Sequence, residues 1–199
     1  MNIALDVSGG DLAPQATVEG AILALDQTSP AESGDLVITL IGDKSLIEET
    51  YQKELPAGIN VLNIPLKSDR LQRDPFTDGD DPSSAIRTAL RLHSKGKFDA
   101  VVSAGPTGAQ VIASLTELGK IRGITRPAVG SFLPTVTGQC YLLDVGASLT
   151  ASPHHLVQFA TMGHVYVHEL LGIEEPRIGV LNVGRESSIG ERSVTEAHA

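Results

Sequence analysis

Four stretches of the sequence set hydroxyls, carboxylates or an amide among glycines directly after an apolar run: IALDVSGGD, AVVSAGPTGAQ, YLLDVGAS and IGVLNVGRES. Their polar groups are Asp6, Asp11, Ser103, Thr107, Asp144, Ser148, Asn182 and Glu186. They stand beside Gly9, Gly10, Gly105, Gly108, Gly146 and Gly184. A buried strand that opens through a small-residue turn into a helix N-terminus holds anions well. Peptide N–H groups point at the ligand, and the helix dipole adds roughly 0.3–1 kcal/mol of preference for negative charge. Any single stretch reads as an ordinary turn, because Gly and Asp favour turns and caps. The repetition is what points to a site. Peptide N–H groups, hydroxyls and carboxylates suit positioning and general acid–base work better than covalent catalysis.

Other chemistries find little support. The sequence has no Gly-x-Ser-x-Gly elbow, no Walker A loop and no Gly-x-Gly-x-x-Gly. The turn Gly105-Pro106-Thr107-Gly108 lacks the third glycine of a dinucleotide loop. His164 and His168 are four apart on an expected helix, but HVYVHE is not a His-Glu-x-x-His box. They read as surface or core histidines, and no metal is expected. Cys140, the single cysteine, excludes an internal disulfide and reads as a buried structural thiol within the apolar run 139–145.

A net charge of −9, with no basic stripe of interleaved aromatics, argues against nucleic acid and against attraction to anionic lipid. A small anion remains compatible, since local dipoles and one or two cations outweigh the global field at contact distance. The first residues show no basic or apolar leader, and no run reaches membrane-spanning length, so a cytoplasmic protein is expected. With aromatics at 4% and Trp absent, the core must be built from Ala, Val, Ile and Leu.

The elements that must position these turns alternate. Apolar runs predict strands at 3–7, 36–41, 59–64, 100–102, 128–133, 139–145 and 177–183. Helical spacing predicts helices at 16–27, from an Asp43 or Ser45 cap through Leu55, from Ser83 or Ser84 with Ile86, Leu90 and Leu92 inward, and at 107–120. A further helix starts at Ser152-Pro153, runs to Leu171 and stops at Gly172, and another opens near Glu196. The polar stretch 65–82 reads as a surface loop, and Arg87 with Arg91 as a solvated stripe. Strands 128–133 and 139–145 are close enough for an antiparallel pair. The whole predicts one α/β layered domain over 1–199, a mostly parallel sheet with helices on both faces. In such sheets ligands bind at the carboxyl ends of the strands near a switch in strand order, so the four turns are expected on one rim.

The blocks IALDVSGGD, SSAIRTAL, AVVSAGPTGA, RPAVGSFLPT, LLDVGAS, SPHHLVQFATMG and IGVLNVGRES followed by Gly-Glu occur in one order from Ile3 to His198. This series resembles the PlsX family of phosphate acyltransferases. The resemblance implies an isocitrate/isopropylmalate dehydrogenase-like fold, with this chain matching about the N-terminal two-thirds. It implies transfer of a fatty acyl group from acyl carrier protein to inorganic phosphate, giving acyl phosphate for phospholipid synthesis without a cofactor. It also implies a homodimer that can associate with the membrane surface. Phosphate is itself the nucleophile in that reaction, so no Ser or Cys nucleophile is needed. The expected site has Asp144 and Glu186 as acid–base groups. Gly9, Gly10, Asp11, Ser103, Gly105, Thr107, Gly108, Gly146, Ser148, Asn182, Gly184 and Arg185 would position the substrate.

The chain departs from the family pattern at four places. Pro106 and Ser148 stand where Asn is usual, Gly184-Arg185-Glu186 replaces a GEE-type turn, and Ile189 replaces a Lys. These changes leave open a relative that binds phosphate or acyl carrier protein without turnover. A nucleotide-linked dehydrogenase is disfavoured by the missing fingerprint.

Overall fold

In a computed structural model the described residues are 1–28, 36–65, 81, 84–146, 150–182 and 192–198. Most of the loop expected at 65–82, the alternative cap Ser83, and Ser148, Gly184, Arg185, Glu186 and Ile189 therefore lie outside them. The chain forms two compact units, Met1–Gly119 and Lys120–Ala199.

The first unit is a four-stranded parallel sheet of β1 (Asn2–Asp6), β2 (Val37–Gly42), β3 (Ile59–Asn63) and β4 (Ala100–Ser103), in the order β3-β2-β1-β4. Its helices are α1 (Gln15–Gln27), α2 (Lys44–Thr50), α3 (Ala85–Ser94) and α4 (Thr107–Glu117). Side chains alternate across a sheet, so each strand serves both faces. Leu5, Ile38 and Leu40 pack with Val18 and Ala21 of α1 and Ile47 of α2. Ala4 and Ile41 pack on the other face with Ala85 and Ala89 of α3. Ile86 and Leu90 of α3 then meet Ala113 of α4. The expected α/β layering, with helices on both faces of a parallel sheet, is present.

Helix ends follow local chemistry. Asp43 caps α2, its carboxylate accepting from the N–H groups of Ser45 at 2.9 Å and Leu46 at 3.3 Å. This helix stops at Thr50 instead of running to Leu55, and the Tyr51 N–H closes its last turn by donating to the Ile47 carbonyl at 2.8 Å. Ser84 caps α3. Helix α4 stops at Glu117 rather than Lys120, and Gly119 follows with a φ of 77°. Arg87 is not part of a solvated stripe. Its Nε lies 2.6 Å from Glu117 Oε1, and the two side chains are only 17% and 14% exposed. The packing of α3 beside α4 turns position 87 toward that helix and away from water.

The second unit holds the antiparallel pair β5 (Gly130–Thr135) and β6 (Gly138–Leu143), then α5 (Pro153–Leu171) and α6 (Arg192–His198). The expected hairpin and the Ser152-Pro153 helix start both form. Ser152 and His155 cap each other reciprocally, and Gly172 ends α5 with a φ of 64°. Phe132 and Tyr166 flank Tyr141, with ring centroids 4.8 Å and 4.6 Å from it.

Two expectations fail in this unit. Cys140 is exposed, not a buried thiol. Tyr141 faces α5 through Tyr166, so its neighbour on the strand points to the opposite face of a two-stranded ribbon. The strand expected at 177–183 is absent over its described residues, 177–182. Ile178, Val180 and Leu181 are exposed, and a strand exists only where a neighbour takes its peptide groups.

Candidate functional site

Strands β1 and β4 run side by side, with Asp6 opposite Ser103 at their carboxyl ends. The chain leaves β1 for β2 on one side, while β4 docks on the other, so strand order switches between β1 and β4. A cavity of about 420 Å³ opens there. Its walls are the turn after β1 (Ser8, Gly9, Gly10, Asp11), the turn after β4 (Ala104, Gly105, Pro106, Thr107) and the first residues of α3. The volume suits a small ligand, and the position is the one at which open α/β sheets bind them.

Asp6 ties the two turns together. It is 3% exposed, and its Oδ1 accepts from the Ser8 N–H at 3.0 Å and the Ser8 hydroxyl at 2.7 Å. Its Oδ2 accepts from the Ser103 hydroxyl at 2.8 Å. Ser103 Oγ in turn accepts from the Gly105 N–H at 3.1 Å, and Gln110 Nε2 donates to the Gly105 carbonyl at 2.7 Å. Backbone meets backbone at this point. A Cβ on Gly9 would lie 2.5 Å from the Gly105 nitrogen and 2.7 Å from its Cα, so only glycine fits. Gly10 has a φ of 103°, which also favours glycine.

Two helices begin at this cavity. Ser84, 2% exposed, caps α3 by accepting from the Arg87 N–H at 3.3 Å. Pro106 occupies the N-cap of α4 and forms no side-chain cap, so the first-turn N–H groups of that helix lack a capping side chain. Pro106 itself has no N–H to offer.

Among the expected site residues, Gly9, Gly10, Asp11, Ser103, Gly105 and Thr107 line the cavity, and Gly108 follows in the first turn of α4. Asp144, Gly146 and Asn182 belong to the second unit. Asp144 has a φ of 68° and its N–H donates to the Val129 carbonyl at 2.7 Å. Ser8, Ser84 and Gln110 line the cavity but were not among the expected site residues, and Asp6, named in the sequence among the polar groups of these turns, was given no role at the site. The Asp-x-Ser spacing of Asp6 and Ser8 carried a signal, since a side chain two residues back commonly takes such an N–H. Among the described residues, no group of three His, Cys, Asp or Glu is placed to share a metal. The His164 and His168 rings stack 6.3 Å apart on α5.

The family model described as fatty acid synthesis protein matches residues 1–199. The chain belongs to that family, the PlsX family. The phosphate acyltransferase of Desulfitobacterium hafniense (strain Y51) is 41% identical over 200 residues, which cover 96% of this chain and 55% of the relative. That of Heliobacterium modesticaldum is 41% identical over 206 residues, covering 100% and 58%. That of a Synechocystis strain is 39% identical over 199 residues, covering 98% and 56%. The chain thus spans about half the length of these PlsX relatives. Among the described residues, no helix is long and apolar enough to cross a membrane.

Proposed function

We propose that the cavity between β1 and β4 is the phosphate site of an acyl transfer from the thioester of acyl carrier protein to inorganic phosphate. The observation that carries this reading is a glycine-walled cavity at the switch point, beside the uncapped first turn of α4, in a chain of the PlsX family. An oxygen of hydrogen phosphate attacks the thioester carbonyl and a C–O bond forms. The C–S bond then breaks and the proton lost by phosphate ends on sulfur, giving acyl phosphate and the free thiol. The protein has to hold an anion beside a carbonyl and stabilise the transient oxyanion. Orientation supplies roughly 7–11 kcal/mol in favourable cases, and oxyanion donors about 3–4 kcal/mol.

We also propose Asp144 and Glu186 as acid–base groups, and Gly146, Ser148, Asn182, Gly184 and Arg185 as substrate-positioning residues. The product serves phospholipid synthesis, and the protein works as a cytoplasmic homodimer that touches the membrane surface. Incubation with acyl carrier protein thioester and increasing phosphate tests the activity. Release of free thiol that rises with phosphate and saturates is expected. Release that ignores phosphate contradicts the proposal. Phosphate binding in calorimetry with no thiol release selects a binding-only relative, the alternative that the missing N–H of Pro106 favours.

A further inference from the structure

Two hydroxyls in the cavity wall have opposite polarity. Ser103 donates its proton to Asp6 Oδ2 at 2.8 Å, and its oxygen accepts one hydrogen bond, from Gly105 N–H. A hydroxyl has one proton and two acceptor positions, so the capacity left to Ser103 is that of an acceptor only. The Asp6 side chain holds it so, because its contacts all come from donors: Ser8 N–H, Ser8 O–H and Ser103 O–H. Ser84 is the reverse. It is 2% exposed, its oxygen accepts from Arg87 N–H, and its own proton has no acceptor among the described residues. A buried hydroxyl proton without a partner calls for an acceptor from the cavity.

We infer that this cavity selects a protonated tetrahedral oxyanion: Ser103 accepts from the P–O–H of hydrogen phosphate while Ser84 donates to one of its bare oxygens. The inference rests on the phosphate reading above and adds to it which protonation form is bound and which residues read it. Asp6 is the positioning residue, acting through the Ser103 proton and not by touching the ligand. Oxyanions of equal size and charge that carry no proton, sulfate and fluorophosphate, leave the Ser103 acceptor unmatched and face its lone pair with another. Sites built to hydrogen-bond a ligand hydroxyl reject analogues lacking it by large factors.

Calorimetric titration of the unaltered chain with inorganic phosphate, sulfate and fluorophosphate, at mildly alkaline pH and matched ionic strength, tests this. Phosphate is expected to bind about 100-fold or more tightly than either proton-free anion. Ser103→Ala should weaken phosphate and leave sulfate nearly unchanged, bringing the ratio within about tenfold. Asp6→Asn places an amide donor against Ser103 and turns the hydroxyl proton toward the cavity, so sulfate binding should tighten. If that variant fails to fold, the three anions on the unaltered chain and Ser103→Ala still decide. Equal binding of phosphate and sulfate by the unaltered chain overturns the inference and leaves the phosphate reading standing. Selectivity that persists in Ser103→Ala overturns the assignment to Ser103 and moves it to another acceptor such as Asp11. Binding of none of the anions overturns the inference together with the reading beneath it.

Discussion

Gly9 is the position at which the cavity tolerates least change. Its Cα faces the Gly105 backbone, which has no flexible end to move aside. Gly9→Ala should cost about 1–3 kcal/mol of stability in urea denaturation, as overpacking does, and should weaken phosphate binding at least about tenfold. The glycines of this turn were legible in the sequence because their type and spacing are unusual. Asp6 was less so: an aspartate at the end of an apolar run looks like a turn residue until its buried contact with Ser103, 97 positions away, is seen. Tyr141 belongs to the second unit and carries a pH prediction. Burial first, and then the charge of Tyr166, push its phenol above the ordinary value of 10.0. The folded state therefore keeps the proton at pH values where the unfolded chain has lost it. Its contribution to stability is complete below about pH 10 and is lost as pH rises through the folded value. Urea midpoints measured across that range should fall with pH, and Tyr141→Phe should flatten the slope.

Elements whose limits depend on adjacent residues were legible. Asp43, Ser84 and Ser152 cap helices, Gly172 ends one, and the hairpin of β5 and β6 pairs with Thr135 opposite Gly138. Ser152→Ala should cost about 1 kcal/mol, read as a lower unfolding midpoint of the second unit. Features set by distant neighbours were not legible. Arg87 reads as solvated until α4 is placed beside α3, and Cys140 reads as buried until its ribbon proves two-stranded. The run at 177–182 has strand composition, but composition does not supply a pairing partner. The Arg87–Glu117 pair joins the two helices that both begin at the cavity. Glu117→Ala removes a charge-assisted hydrogen bond between side chains only 17% and 14% exposed and should cost about 2 kcal/mol in urea denaturation.

At the scale of the molecule, the α/β class followed from alternating runs, while the order β3-β2-β1-β4 did not, because strand order is a tertiary property. That order is what sets the turns after β1 and β4 side by side and so makes a cavity of two ordinary turns. All of its walls lie within Met1–Gly119. A ligand that binds only the folded chain stabilises it, by about 2.7 kcal/mol at a hundredfold excess over Kd. Phosphate should therefore raise the unfolding midpoint of the chain in proportion to the logarithm of its concentration, and sulfate should do so much less. The most direct test of the site is a phosphate titration followed through backbone amide resonances. Amides of Ser8 to Asp11 and of Gly105 and Thr107 to Ala109 are expected to shift together with a single Kd while those of β5 and β6 stay in place. Shifts confined to other parts of the chain, with these turns unmoved, would contradict the phosphate reading.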